Sequence, residues 1–158
     1  RDPLWSRGLG DVYKRQEQYI YCTPAQSDEM HEHILNNLCE VMADLDLPYR
    51  VIANSTGDMG FNKVKMNDVE AWVPSENAYK EVGSCSSIGQ FQARRTNTRY
   101  RDKNGDVQFV ATLNNTGIAV PRVLVPFLEN HQNADGSVNI PPKLQPLMGG
   151  RTRIGGKH

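Results

Sequence analysis

Apolar residues recur at Met30, Ile34, Leu35, Leu38, Val41, Met42 and Leu45, the three-and-four spacing of an amphipathic helix. Thr23-Pro24-Ala25-Gln26 supplies its start, with a capping hydroxyl, a proline at the first helical position and a glutamine three residues on. Ser27 is a competing cap, and Leu47-Pro48 stops the run. His31 and His33 lie inside this helix, too close together to share one face. Both read as solvated or edge positions with no ligand role.

Elsewhere the pattern is that of strands. Residues 17–22 carry Tyr19, Ile20 and Tyr21, side chains that favour extended backbone. Residues 49–54, 65–73 and 78–86 follow, and in the second of these Val69, Ala71 and Val73 alternate with Asp68, Glu70 and Trp72. Residues 95–101 and 106–113 flank Lys103-Asn104-Gly105, a hairpin signal, with Val107, Phe109, Ala111 and Leu113 expected on one side. A mainly apolar helix over 117–131 and a proline-rich end, Ile140-Pro141-Pro142 to Met148-Gly149-Gly150, complete an α+β domain without internal repeats. Residues 1–16 lack sustained periodicity and read as a linker or non-native segment, residues 17–150 as the domain, and 151–158 as a basic tail.

Composition narrows the function classes. Eighteen basic and eighteen acidic residues cancel, which argues against bulk electrostatic attraction to nucleic acid but leaves local patches open. No apolar run approaches the roughly 20 residues of a membrane span. Three widely spaced cysteines without a Cys-x-x-Cys pair fit free thiols in a reducing, cytoplasmic setting.

Some polar residues could carry chemistry. Asp68 and Glu70 share a strand face, while Glu81 and Ser84 lie on the next strand. Hard oxygen donors of this kind suit Mg²⁺, which takes one or two carboxylates together with substrate phosphates. Glu81 and Ser84 are three apart and should face opposite ways unless Gly83 marks a bulge. By spacing alone, a solvated acidic face is the simpler reading. Arg94, Arg95, Arg99 and Arg101 likewise fit either a nucleic-acid surface or a solvated strand face. Arg122 stands among Ile118, Val120, Val123, Leu124 and Val125, so it requires a carboxylate partner or an anionic ligand such as phosphate.

Taken in order, Asp68-Val-Glu-Ala-Trp-Val-Pro, Tyr79-Lys-Glu-Val-Gly-Ser-Cys-Ser and Phe91-Gln-Ala-Arg-Arg resemble the stretch between motifs 2 and 3 of seryl-tRNA synthetases. Thr112-Leu-Asn-Asn-Thr-Gly-Ile-Ala-Val-Pro-Arg, continuing through Leu128-Glu-Asn-His-Gln and Asp135-Gly-Ser-Val, resembles their motif 3, and Pro146-Leu-Met-Gly-Gly their ending. The resemblance covers residues 16–150. It implies a class II antiparallel sheet with flanking helices, truncated on its N-terminal side. It further implies activation of L-serine with ATP and Mg²⁺, transfer to tRNA(Ser), and a homodimeric parent protein.

By position, the resemblance implies serine contacts for Glu17, Asn114 and Thr116. It implies ATP contacts along Glu81, Val82, Gly83 and Ser84 and at Arg122, metal binding by Glu81 and Ser84, and catalytic roles for Glu81 and Arg122. The family's coiled-coil arm, its motif 1 and most of motif 2 have no counterpart here, so the chain alone is expected to be inactive. Pro121 replaces a frequent glycine, and Pro126 lies inside the expected helix, leaving the aim of Arg122 open. Two other readings remain: a ligase that charges an amino acid onto a carrier protein, and a non-catalytic interaction module. Retention of Glu17, Glu81, Ser84, Thr116 and Arg122 speaks against the module.

Overall fold

The computed structural model describes residues 15–156. Residues 1–14, most of the expected linker, lie outside the described residues, as do residues 157 and 158 of the basic tail. Five antiparallel strands form the main sheet in the order β1-β7-β4-β3-β2. They are β1 (Arg15–Cys22), β2 (Tyr49–Ala53), β3 (Lys65–Val73), β4 (Ala78–Gly89) and β7 (Ala111–Ala119). β5 (Arg99–Arg101) and β6 (Val107–Phe109) form a separate hairpin, and β8 (Val138–Asn139) pairs with β9 (Arg153–Ile154). The helices are α1 (Ser27–Asp44), α2 (Phe91–Thr96) and α3 (Val120–His131).

The long helix follows its apolar stripe. Gln26 accepts hydrogen bonds from the Thr23 amide at 3.2 Å and the Thr23 hydroxyl at 2.8 Å, fixing a 3-10 turn at Pro24–Gln26 before α1 begins. Ile34, Leu35, Leu38 and Met42 then pack onto Val69, Ala71, Val82, Cys85 and Leu113 of the sheet, with Val123 of α3. Burying each such side chain contributes about 1.5–3 kcal/mol. Gly83 sits under this helix, where an added Cβ would lie 2.9 Å from Leu38 Cδ2, so any larger residue would push helix and sheet apart. His131 reaches back from α3 to within 2.9 Å of the Leu45 carbonyl, tying the ends of the two helices together.

Four expectations need correction. His31 is fully buried, because it precedes Ile34 and Leu35 by three and four residues and shares their stripe; only His33 is exposed. Arg94 and Arg95 lie on α2, not on a strand; Asn97, in the left-handed conformation (φ 57°), ends that helix before β5. The expected single strand 106–113 is broken at Val110, so Val107 and Phe109 belong to the small hairpin and do not share a face with Ala111 and Leu113. The helix expected from 117 starts at Val120, because β7 runs on to Ala119, paired with β1 beyond the point where its pairing with β4 stops at Asn115.

Burial leaves its mark on several titratable groups, two of them, His31 of α1 and Cys85 of β4, fully buried. The Cys85 thiol is pushed up to about 12 by desolvation, so it is chemically quiet. Desolvation also lowers the pKa of His31, whose Nε2 lies 3.4 Å from the Cys85 carbonyl and whose Nδ1 has no hydrogen-bond partner among the described residues. With the folded pKa below the unfolded value, the unfolded chain binds the extra proton more readily. Stability is therefore whole above about pH 6.5 and declines as pH falls through the folded pKa. Urea titrations of the chain between about pH 7.5 and 5 should show this decline, and His31→Gln should flatten it.

Candidate functional site

The site residues converge because residues directly opposite one another in a sheet share a face. In the β3–β4 ladder Asp68 opposes Ser84, yet Glu70 opposes Glu81, so Val82 is an extra residue on β4. This bulge carries Glu81 and Ser84 onto the face of Asp68 and Glu70. It lies one residue before Gly83, where the sequence hinted at it. The side chain of Val82 is in the core, and Gly83 faces α1, so what either offers a ligand is main chain.

Across β4, Ser86 opposes Asn114 of β7, and across β7 Asn114 opposes Tyr19 and Thr116 opposes Glu17 of β1. The Thr116 hydroxyl donates to Glu17 Oε1 at 3.2 Å, while Arg15 approaches the same oxygen at 3.2 Å. The face away from α1 thus presents a carboxylate–hydroxyl pair at one end and an acidic cluster at the other.

Arg122 reaches that cluster from the first turn of α3, with Nη1 2.8 Å from Glu81 Oε1. The helix runs unbroken through Pro126, although this proline removes the amide that would have bonded the Arg122 carbonyl. Contrary to what its apolar neighbours suggest, Arg122 is half exposed, its side chain at 50% and that of Glu81 at 42%. Pro121 occupies the first turn, where its missing N–H costs nothing.

The acids are held in different ways. Arg50 pairs with Glu70 at 2.6 Å, while Asn54 donates to Asp68 Oδ2 at 2.7 Å. Asp68 Oδ1 is buried without a hydrogen-bond partner among the described residues, directly across the ladder from Ser84. A buried, unpartnered carboxylate oxygen beside a hydroxyl and a second carboxylate is chemistry suited to a hydrated divalent cation.

One contributor was missed in the sequence. Gln92, on α2, accepts from the Thr112 hydroxyl at 2.7 Å and from the Tyr19 phenol, bolting α2 onto the same sheet face. No periodicity marks it; only its place in the Phe-Gln-Ala-Arg-Arg block singles it out.

Known proteins share this sequence and fold. The family model of the tRNA synthetase class II core domain (G, H, P, S and T) matches residues 11–131. A serine–tRNA ligase of Deinococcus radiodurans is 52% identical, covering 94% of this chain and 36% of its own length. One from Bdellovibrio bacteriovorus is 48% identical, covering 90% and 33%. Among solved structures, seryl-tRNA synthetase from Pyrococcus horikoshii complexed with ATP superposes with a TM-score of 0.86 at 41% identity, covering 91% of this chain and 32% of that one. The cytoplasmic serine–tRNA ligase of Naegleria fowleri in complex with AMP gives 0.82 at 35% identity, covering 91% and 34%. The chain therefore spans about a third of the length of these relatives. With the family model over residues 11–131, these identities and these superpositions in agreement, the chain belongs to the class II tRNA synthetase core-domain family, in its seryl-tRNA synthetase lineage.

Proposed function

We propose that this chain supplies the serine pocket and the distal phosphate end of an active site that forms seryl-adenylate from L-serine and ATP and passes the seryl group to tRNA(Ser). The observation that carries this reading is the shared sheet face, with the Glu17–Thr116 pair at one end and the Glu81–Arg122 pair at the other. The names and nucleotide complexes of the relatives support it.

The chemistry follows from the side chains. Attack of the serine carboxylate on the α-phosphate brings two anions together, so the barrier is lowered mainly by positioning and by charge neutralisation. Arg122 can exchange one carboxylate oxygen for a phosphate oxygen, because its pair with Glu81 is half exposed and reachable by a ligand. Glu81 and Ser84, with Asp68 behind them, would hold Mg²⁺, which when bound neutralises phosphate charge. At the other end, Glu17 would pair with the substrate ammonium while Thr116 and Asn114 offer hydrogen-bonding partners to its polar groups. A site that hydrogen-bonds the serine hydroxyl rejects alanine strongly, since the site's own polar atoms would otherwise go unpaired.

The working enzyme is proposed as a cytoplasmic homodimer. Among the described residues no helix is long and apolar enough to cross a membrane. The reading is tested by charging tRNA with radiolabelled serine, using a chimera in which this chain replaces the matching third of the Deinococcus radiodurans ligase. Serylation of tRNA supports the assignment; a folded chimera that leaves tRNA uncharged overturns it.

A further inference from the structure

Four arginines between Phe91 and Arg101 differ from the other arginines discussed above. Arg15, Arg50, Arg122 and Arg153 each pair with a carboxylate, whereas Arg94, Arg95, Arg99 and Arg101 pair with none among the described residues. They lie against aromatic rings and neutral acceptors instead. Arg95 stacks on Phe91 with its Cζ 3.4 Å from the ring centre, and Arg94 and Arg99 both approach Phe109, at 5.0 and 4.7 Å. Arg94 also donates to the Gln90 side chain at 2.7 Å, and Arg101 to the Gly105 carbonyl at 2.6 Å. Beside them Phe61 is 91% exposed and touches only the edge of the series, in a T-shaped contact with Phe91 at 5.4 Å. Lys63 adds a fifth cation, and a recess of about 360 Å³ between residues 61–64, which precede β3, and α2 has Phe61, Lys63, Val64, Phe91, Arg94 and Arg95 in its lining.

We infer that this patch is a stacking platform for single-stranded RNA, receiving the unpaired 3′ end that enters the neighbouring site. A chain of formal net charge zero concentrates uncompensated cations here, which matches a polyanion. Guanidinium planes and a bare phenyl ring match unstacked bases, which bind on exactly such surfaces. Position agrees as well, because Gln92, one residue after Phe91 and three before Arg95 on the same short helix, is held to Thr112, two residues along β7 from Asn114. Bases held on the outer side of α2 would lie at the rim of the sheet face that carries the serine pocket. The inference rests on the proposed transfer to RNA, but its test needs neither ATP nor serine, so the two can fail separately.

The test is fluorescence anisotropy of a labelled eight-nucleotide single-stranded RNA ending in CCA, titrated with the full chain at several salt concentrations. Binding should weaken as salt rises, with a log–log slope of about −0.7 for each phosphate contact. Phe61→Ala, which removes a solvent-exposed ring and leaves the core intact, should weaken binding about tenfold. The Arg94→Gln/Arg95→Gln double variant should make the slope shallower by about 1.4, and the control Arg153→Gln should match wild type. No binding at about 50 mM salt, or binding that neither Phe61→Ala nor the double variant changes, overturns the proposal. So does displacement of the RNA by an acidic peptide with no effect of Phe61→Ala, which would make the patch a protein-binding surface.

Discussion

Replacing Arg122 with lysine in the chimera is expected to slow amino-acid activation by about 10² to 10³-fold while leaving the melting temperature nearly unchanged. The two halves of this prediction come from one geometry. The Arg122–Glu81 pair is close at 2.8 Å but half exposed, and exposed pairs contribute about 0–1 kcal/mol to stability. A purely structural salt bridge there would be dispensable. A guanidinium that must hold a phosphate oxygen is not, because lysine offers a point charge in place of a planar fork. Pyrophosphate exchange kinetics with a thermal melt of the same sample separate the two. Near-normal exchange by Arg122→Lys would reduce the pair to a surface ornament.

The second large effect concerns choice of amino acid. Thr116→Val keeps the shape of a buried side chain and removes the hydroxyl that donates to Glu17. Glu17 then loses a donor, and the pocket loses part of the polar surface that penalises an amino acid without a hydroxyl. The preference for serine over alanine, measured as the ratio of kcat/KM in exchange assays, should fall by about 100-fold or more. The loss should fall mainly on serine, with alanine little changed. Equal losses for both amino acids would point to a packing role for Thr116.

How far these positions can be read from the chain depends on the kind of signal each carries. Helix α1 is legible because its apolar positions repeat for five turns and its start is capped by Thr23 and Gln26. His31 is misread for a related reason: comparing it with His33 obscures its alignment with Ile34 and Leu35. The boundary at Val120 is hidden because β7 and α3 are both rich in apolar residues, so neither period stands out. Arg94 and Arg95 look like a strand flank until Asn97 is seen to close a short helix.

The site divides along the same line. Glu17, Asn114, Thr116, Glu81, Ser84 and Arg122 are identifiable from motif order, but their meeting is not. It depends on the unpaired residue Val82, whose insertion flips Glu81 relative to Ser84; Gly83 hints at a bulge, but only the ladder shows that it is present and falls one residue earlier. The unpartnered Asp68 oxygen and the Gln92 bolt are tertiary facts, visible only once β3, β4, β7 and α2 are assembled.

The central claim is that this sheet face belongs to a site that activates serine. Amino-acid-dependent ATP–pyrophosphate exchange measures that step directly, without tRNA. In the chimera, exchange should proceed with serine and stay near background with alanine and threonine, and the isolated chain should show none. Failure of the folded chimera to exchange with serine, or equal exchange with alanine, would contradict the account.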